Sequence, residues 1–293
     1  MDILVTGGTG FIGRRLCARL LAQGHAVTVL TCHPGRTTVA GAHSVARLED
    51  VGPVQAVVNL AGEPIMQGRW TPARKQALLD SRLGTTRGLL AWMDGLHERP
   101  QVLVSGSAIG YYGPRGDEVL DEAAAPGHDF AAMLCRQWEA EAFKAEALGV
   151  RTCVLRTGIV LDRDGGALAR MLPPFRLGAG GPMGDGRQWM SWIHREDLVG
   201  LIVWLLEHDN ARGAYNGTAP EALPNAAFAR TLAASLHRPA LLTTPAFALK
   251  LAFGEMAGLL LTGQRVVPAR ALQDGYRFQY PELAQALHAI LDG

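Results

Sequence analysis

The sequence predicts an α/β fold, a doubly wound parallel sheet followed by a smaller C-terminal lobe. Three observations predict it: short, continuously apolar strands alternate with helical segments in the first half, a glycine-rich turn follows the first strand, and this alternation loosens after about residue 160. Strands that are apolar on both faces are typical of parallel sheets covered by helices. We expect a core over residues 1–160, to which residues 190–220 return, and a mixed substrate lobe over residues 161–293.

Alternating periodicity defines the elements of the first half. The predicted strands are residues 3–6, 26–31, 56–60, 102–105 and 152–155, and the predicted helices are residues 11–22, 72–96 and 131–148. Gly24 is placed to end the first helix. Thr71 as N-cap and Pro72 at the first helical position open the second.

The second half is less regular. Its predicted helices are residues 198–207, 225–236, 246–261 and 281–291, the last two within a helical C-terminal segment over residues 245–293. Between them, residues 176–187 are rich in glycine and follow Pro173 and Pro174. This composition predicts a long loop, and long loops in compact enzymes are often binding elements.

Composition excludes several classes of function. The net charge is +1 and no basic block indicates a nucleic-acid groove. The apolar runs are far shorter than the ~20 residues that span a bilayer, and the chain opens on an apolar strand rather than a signal peptide. Four separated cysteines have neither metal-ligand nor redox-motif spacing. We therefore expect a cytoplasmic protein with a small-molecule substrate and with no metal, membrane or nucleic-acid partner.

The glycine-rich turn is the most informative motif. Gly7, Gly10 and Gly13 follow the first strand and open the first helix. In a dinucleotide site such glycines allow a tight turn and a close approach of the backbone to the pyrophosphate, which the helix N-terminus stabilises. The strand before it and the helix after it are the context that such a motif requires. The sequence therefore predicts a Rossmann domain that binds a nicotinamide dinucleotide.

The end of the second strand discriminates between NAD and NADP. An NAD site usually has a carboxylate there to hold the ribose 2′-hydroxyl, whereas residues 31–36 contain none. Arg36 could meet a 2′-phosphate, with help from His33 and from Arg14 in the first helix. The alternative is that these are ordinary surface bases. We predict NADP, with NAD as the less favoured cofactor.

Several stretches carry a family resemblance. Residues 6–13, the run Asn59-Leu60-Ala61-Gly62 and the run Ser105-Gly106-Ser107 resemble the extended short-chain dehydrogenase/reductase superfamily. Residues 61–65, 69–71, 80–82, 107–113, 173–175, 192–194 and 215–216 are similar to its nucleoside-diphosphate-sugar-epimerase-like branch, usually described as "epimerase family protein". Residues from about 245 to 291 resemble the short C-terminal domain of unknown function in that branch.

The resemblance implies cofactor contacts and leaves open a homodimer through the helices that flank the sheet. Together with the arguments from the glycine turn and from the end of the second strand, it assigns cofactor binding to Gly7, Gly10, Phe11, Ile12, Gly13, Thr31, Arg36, Leu60, Ala61, Gly62, Ser105 and Gly158.

The chain departs from the superfamily at its catalytic pair. The usual Tyr, a general acid/base, and the Lys four residues later are both absent from the helix after the serine strand. Phe130 or Ala131 stands at the Tyr position, and Leu134 or Cys135 at the Lys position. The predicted catalytic residues are Ser107, which the resemblance places at the reacting group, and Tyr111 and Tyr112 just beyond it, for which packing or substrate contact is the alternative role.

Three further residues are predicted to bind substrate, each with a structural alternative. Glu63 could bind a hydroxyl or cap a loop, Arg156 could bind substrate or form an ion pair, and His194 could contact substrate or stitch the loop before it. Arg69 and Arg82 could likewise hold a phosphate or form ion pairs. Two functions follow as hypotheses: an NADP-dependent oxidoreductase or epimerase acting on a small carbonyl or sugar-nucleotide compound, or a non-catalytic NADP(H)-binding sensor or interaction protein.

Overall fold

The computed structural model describes residues 1–34 and 39–292. The strands are Asp2–Thr6 (β1), Ala26–Leu30 (β2), His43–Val45 (β3), Ala56–Asn59 (β4), Val102–Ala108 (β5), Val119–Leu120 (β6), Arg151–Thr157 (β7), Ile159–Asp162 (β8), Trp189–Met190 (β9), Trp192–His194 (β10), Gly213–Gly217 (β11), Leu223–Pro224 (β12) and Arg265–Val266 (β13). The α-helices are Phe11–Ala22 (α1), Pro72–Asp94 (α2), Phe130–Ala142 (α3), Gly166–Arg176 (α4), Arg195–Glu207 (α5), Asn225–Ser235 (α6), Ala246–Phe253 (α7), Gly258–Leu261 (α8), Ala269–Gln273 (α9) and Leu283–Asp292 (α10).

Seven parallel strands form the central sheet, in the order β3-β2-β1-β4-β5-β7-β11. Helices α1 and α5 pack on one face, and α2 and α3 pack on the other. Alternate strand residues serve the two cores: Val5 and Val104 face the first pair of helices, whereas Leu4 and Leu103 face the second. The predicted doubly wound α/β fold is confirmed. The strand order reverses between β1 and β4, which is where such sheets leave a crevice for a ligand.

Most predicted elements are confirmed, but several bounds differ, the predicted helix over residues 246–261 is interrupted after Phe253, and several short elements were not predicted. Strand β5 runs on to Ala108 and β7 to Thr157, so their polar residues lie in the sheet. The third predicted helix ends at Ala142 and continues as the tighter 3-10 helix Phe143–Leu148. Strand β3 and helix α4 were not predicted. Helix α4 includes both prolines in its last turns, held there by an apolar face that is buried.

The smaller lobe has its own apolar core. This core includes the buried side chains of Leu161, Trp192, Phe228 and Leu287. Two small two-stranded sheets, β8–β10 and β9–β12, contribute residues to it. Among the described residues, no helix combines the length and the apolar character needed to cross a membrane.

The C-terminal segment is tied to the rest of the chain through its backbone. Its backbone amide groups donate to carboxylates that lie earlier in the sequence. Two of these amide groups lie in the first turns of α9 and α10. Glu122 accepts from Arg270 at 3.1 Å, Asp197 from Gln279 and Tyr280 at 2.7 and 2.9 Å, and Glu221 from Leu283 at 2.7 Å. Burial raises the pKa of Glu122 and of Asp197.

Candidate functional site

The glycine turn after β1 lies at the crevice. Gly7 has a φ of +69°, and a Cβ there would lie 2.7 Å from the Leu60 carbonyl carbon. A Cβ at Gly13 would overlap the Gly7 carbonyl oxygen. Gly10 is the N-cap of α1 and offers no side chain to the first turn, whose N–H groups have no partner within the helix. The turn therefore fits a pyrophosphate, which needs close backbone approach and free N–H donors.

The end of β2 presents no carboxylate. The Thr31 hydroxyl accepts a hydrogen bond from the His33 amide at 3.3 Å, which turns the chain, and the Cys32 and His33 side chains are exposed. Arg36 lies outside the described residues, so its predicted role stays a prediction.

A buried polar chain fixes the turn after β4. The Thr6 hydroxyl donates to the Asn59 Oδ1 at 2.7 Å and accepts from the Ala61 amide at 3.3 Å. The Asn59 amide group donates to Thr86 at 2.9 Å and reaches Ser105 at 3.5 Å. Ser105 is fully buried and contacts Asn59, and its cofactor contact stays a prediction.

Arg82 places a positive charge beside that turn. A Cβ at Gly62 would lie 3.1 Å from the Arg82 Cζ. The guanidinium donates to the Glu63 and Leu78 carbonyl oxygens at 3.1 Å, and in the described part of the chain it has no carboxylate partner. Burial lowers the pKa of Arg82. A partly buried cation with no carboxylate partner suits an anionic ligand.

Ser107 is bound to a carboxylate that the sequence reasoning missed. Its hydroxyl donates to the Glu139 Oε1 at 2.6 Å, and Arg156 holds both Glu139 oxygens at 2.9 Å. All three residues are at most 5% exposed. A serine has one hydroxyl proton, so that of Ser107 is committed to Glu139. A role in proton transfer requires this bond to open.

Tyr112 and Arg156 belong to the same interior network. Tyr112 is fully buried, donates to the Asn216 Oδ1 at 2.7 Å and accepts from Arg156 at 3.0 Å. Burial raises the pKa of Tyr112 to about 12. Of the two roles considered for Arg156, the structure shows the ion pair, because the residue is 4% exposed and its guanidinium donates to Glu139 and Tyr112.

Tyr111 differs from its neighbour. Its ring lies 3.5 Å from the Arg156 Cζ, and among the described residues its hydroxyl makes no hydrogen bond. The side chain is partly exposed and lines a cavity of about 450 Å³ on the flank of α3. The other lining residues are Met133, Arg136, Gln137, Glu139, Ala140 and Phe143.

Helix α3 has no acid/base side chain at the position where the superfamily has its Tyr and Lys. A Cβ at Gly110 would lie 3.2 Å from the Ala131 Cβ and 4.0 Å from the Cys135 Sγ, so these two residues face the turn after β5. Both are 4% exposed, and burial raises the pKa of Cys135 to about 12. Phe130 instead packs edge-on against Trp70. The i, i+4 pair is thus Ala131 and Cys135, and it supplies no acid/base.

The other two predicted substrate residues have protein partners. Glu63 is exposed and accepts from Arg74 at 3.0 Å. His194 is 5% exposed, and its Nδ1 accepts the Glu196 amide at 3.0 Å, which caps α5. Its ring packs 4.0 Å from that of Tyr280, and burial lowers its pKa. His194 thus contacts the start of α5 and the C-terminal segment, and its substrate contact stays a prediction.

The glycine-rich loop borders a second cavity, of about 760 Å³. Gly184 and Asp185 line it from the loop, and Lys250, Glu255 and Leu261 line it from the C-terminal segment. The predicted loop therefore lines a ligand-sized space.

Arg69 and Lys75, near the start of α2, bind the C-terminal segment that lines this cavity. Arg69 donates to the Leu251 and Ala252 carbonyl oxygens at the end of α7, and Lys75 pairs with Glu255 at 2.7 Å. Arg69 thus contacts the C-terminal segment through backbone carbonyls, and the phosphate contact stays a prediction.

Fold, strand order and glycine turn together define an NAD(P)-binding protein of the Rossmann type. The chain belongs to the NAD dependent epimerase/dehydratase family, whose model matches residues 3–216. Residues 244–290 match a further model, described as a domain of unknown function (DUF1731).

Individual relatives span the whole chain. It is 43% identical to the epimerase family protein SDR39U1 homolog, chloroplastic, of Arabidopsis thaliana (99% of this chain, 87% of the relative) and 40% identical to human epimerase family protein SDR39U1 (99% and 100%). The crystal structure of human SDR39U1 (isoform 2) with NADPH superimposes with a TM-score of 0.92 at 37% identity, covering all of both chains. The nucleoside-diphosphate sugar epimerase of Corynebacterium glutamicum gives 0.79 at 29% identity, over 99% of this chain and 58% of that one.

Proposed function

We propose that this protein is an NADP(H)-dependent oxidoreductase or epimerase that acts on a small carbonyl or sugar-nucleotide compound. The observation that carries the proposal is the crevice between β1 and β4, where Gly7, Gly10 and Gly13 form a phosphate-sized turn. Arg82, which has no carboxylate partner in the described part, supports an anionic ligand there. The human relative, crystallised with NADPH, supports the choice of cofactor.

The residues of this chain would divide the work along the crevice. The α1 N-terminus and the Ala61-Gly62 turn would hold the phosphates, and Gly158, which follows β7, would lie beside the nicotinamide. When bound, the cofactor supplies or accepts a hydride. The chain must then move a proton, and Tyr111 is the predicted catalytic residue best suited to this, because its hydroxyl has no partner among the described residues and its ring stacks on a cation.

Binding is tested first, by titrating the purified full chain with NADPH and NADH and following nicotinamide fluorescence. We expect NADPH to bind more tightly. Absence of binding by either dinucleotide contradicts the cofactor assignment. A panel of carbonyl and sugar-nucleotide compounds, followed at the NADPH absorbance band, then tests turnover. Tyr111→Phe is expected to abolish any turnover found while leaving NADPH binding intact.

A non-catalytic NADP(H) sensor is the second candidate. The observation that favours it is the pair Ala131 and Cys135, which leaves the acid/base position without a proton donor. A sensor should bind NADPH, turn over no compound of the panel, and change the protease sensitivity of residues 244–292 when the cofactor binds. Turnover that depends on Tyr111 contradicts this candidate.

The proposal includes a cytoplasmic location and a small-molecule substrate. Three of the four cysteines are buried, and all four are free, which suits a reducing compartment. The Arabidopsis relative is named as chloroplastic, so fractionation of the native host is the test. The homodimer stays a prediction, to be tested by light scattering.

A further inference from the structure

The most exposed large apolar side chains of the described residues lie together in two stretches of the smaller lobe. The first stretch is residues 173–181, at the end of α4 and the start of the glycine-rich loop, and the second is residues 237–252, which lead into α7. Single exposed apolar residues are ordinary, but a concentration of them marks an interaction surface. The side chains concerned, each 57% to 83% exposed, are Leu177, Leu241, Leu242, Phe247 and Leu251.

Direct contacts join the two stretches into one surface. The Arg238 Nε donates to the Arg176 carbonyl oxygen at 2.9 Å. A Cβ at Gly181 would overlap the Leu242 carbonyl oxygen, so the two backbones touch there. The exposed leucines of the two stretches therefore lie side by side.

Helix α7 presents the aromatic part of this surface. Phe247 and Leu251 are one turn apart and lie on the same side of the helix, whereas Leu249, 8% exposed, packs inward from the opposite side. Arg69 donates to two carbonyl oxygens near the end of α7. The helix thus contacts the body of the protein and keeps its other apolar side outward.

At pH 7 every charged residue of the two stretches is basic. Arg176, Arg238 and Lys250 are exposed, and neither stretch contains Asp or Glu. Among the described residues, none of the three forms an ion pair. The whole chain has a net charge of only +1, so this excess of positive charge is local to the exposed apolar surface.

An anionic lipid surface fits this combination of side chains. Protruding apolar groups can enter the boundary between headgroups and acyl chains, and each Lys or Arg beside them attracts anionic headgroups. Lys250 lies between Phe247 and Leu251 in sequence, so its ammonium group can reach the headgroups while its stem lies along apolar neighbours. A protein partner would need a separate pocket for each protruding side chain, whereas a fluid bilayer needs no matching shape.

We propose that residues 173–181 and 237–252 form a docking surface for anionic lipid bilayers, with Phe247 and Leu251 inserted and Lys250 at the headgroups. The contact does not involve the β1–β4 crevice, so it goes beyond the proposed function. It departs from the expectation, drawn from the lengths of the apolar runs, that the protein has no membrane partner. A peripheral contact requires no spanning segment.

The experiment measures co-sedimentation of the full chain with vesicles of phosphatidylcholine alone or of equimolar phosphatidylcholine and phosphatidylglycerol. We expect binding to the anionic vesicles that weakens as salt is added. The double variant Phe247→Gln/Leu251→Gln is expected to lower the partition coefficient about tenfold or more, and Lys250→Gln about fivefold. The matched controls lie outside the two stretches: Leu272→Gln removes an apolar side chain that is 48% exposed, and Arg277→Gln removes an exposed base. Both controls should bind as the wild type does.

The other results would overturn the inference. They are no binding of the wild type to anionic vesicles, equal binding to both kinds of vesicle, and equal weakening by test and control variants. Light scattering without lipid tests a second copy as the occupant: a dimer that the double variant dissociates assigns the surface to self-association instead. NADPH titration of the same variants reports separately on the proposed function, and circular dichroism with the urea midpoint establishes that each variant is folded.

Discussion

The two ends of the crevice differ in what their polar groups are free to do. At the phosphate end, the turn after β1 is made of backbone, and the first N–H groups of α1 have no partner within the helix. At the other end, Ser107 is bound to Glu139, Tyr112 to Asn216, and the usual acid/base pair is replaced by Ala131 and Cys135. One end offers unpaired backbone N–H groups, whereas at the other end Ser107 and Tyr112 are satisfied by protein and, among the described residues, the Tyr111 hydroxyl is not.

This difference shows that binding a dinucleotide and moving a proton are separable within one fold. The glycine turn depends on backbone geometry, both its own and that of Leu60 packed against it. Proton transfer depends on side chains, and the Ser107 hydroxyl is bound to Glu139 within the interior network.

The largest expected effect comes from breaking the interior network. Arg156→Ala leaves Glu139 charged and buried without its partner, which we expect to lower the free energy of unfolding by about 3–5 kcal/mol. Urea denaturation measures it. The matched control is Arg115→Ala, whose partner Glu118 is exposed, and it should leave the urea midpoint unchanged. Equal effects of the two variants would contradict the structural role of the network.

The phosphate end is tested by Gly13→Ala. A methyl group there overlaps the Gly7 carbonyl oxygen, so the turn must open. We expect a loss of stability of about 1–3 kcal/mol and at least a tenfold loss of NADPH affinity. Gly84→Ala is the control, because a Cβ at Gly84 on α2 meets nothing within 4 Å, and the change should stabilise the helix by up to about 1 kcal/mol. Unchanged NADPH binding by Gly13→Ala would place the cofactor elsewhere.

A tyrosine placed at the superfamily's acid/base position tests the other end of the crevice. Ala131→Tyr returns a phenol to the superfamily position, but the site is buried against Gly110. Overpacking should cost about 1–3 kcal/mol, and NADPH binding should be retained because the glycine turn is untouched. Thermal unfolding and the fluorescence titration measure the two results. A stable variant that gains carbonyl reductase activity would show that the position is open after all.

The smallest expected effect is a pH dependence from His194. Burial lowers the pKa of folded His194 below its ordinary value of 6.5, so between that lowered pKa and 6.5 the unfolded chain binds more protons. The contribution of His194 to the free energy of unfolding is complete above pH 6.5. It is lost as the pH falls from 6.5 through the pKa of His194 in the folded state. His194→Asn keeps an acceptor for the Glu196 amide but does not titrate, so its urea midpoint should fall less between neutral and mildly acid pH. An unchanged pH slope would assign the dependence to another group.

Local patterns made the cofactor half of the molecule predictable. The prediction for α1 has the bounds of the observed helix, because the glycine turn opens it and Gly24 follows its end. The predicted loop began one residue inside α4, which continues through Pro173 and Pro174 because Leu168, Leu172 and Phe175 are buried along one side. Tertiary packing outweighed the helix-breaking signal there.

The network around Ser107 was beyond sequence reasoning because its members are far apart in the chain. Glu139 lies 32 residues from Ser107 and 17 from Arg156. The available signal was a carboxylate on the apolar side of a helix, since Glu139 follows Ala131 and Cys135 at intervals of four. Strand β5 was predicted three residues too short, which hid that Ser105 and Ser107 face α2 and α3 from the same side of the sheet.

The carboxylates that hold the C-terminal segment bear on how this chain can be recombined. A family boundary falls near residue 244, yet Glu122, Asp197 and Glu221 stand on one side of it and the amides they accept on the other. The segment is therefore a module in sequence only. A chimera that takes this segment from a relative keeps these hydrogen bonds only if it also keeps the three carboxylates that accept them. The segment and the carboxylates must therefore be transferred together.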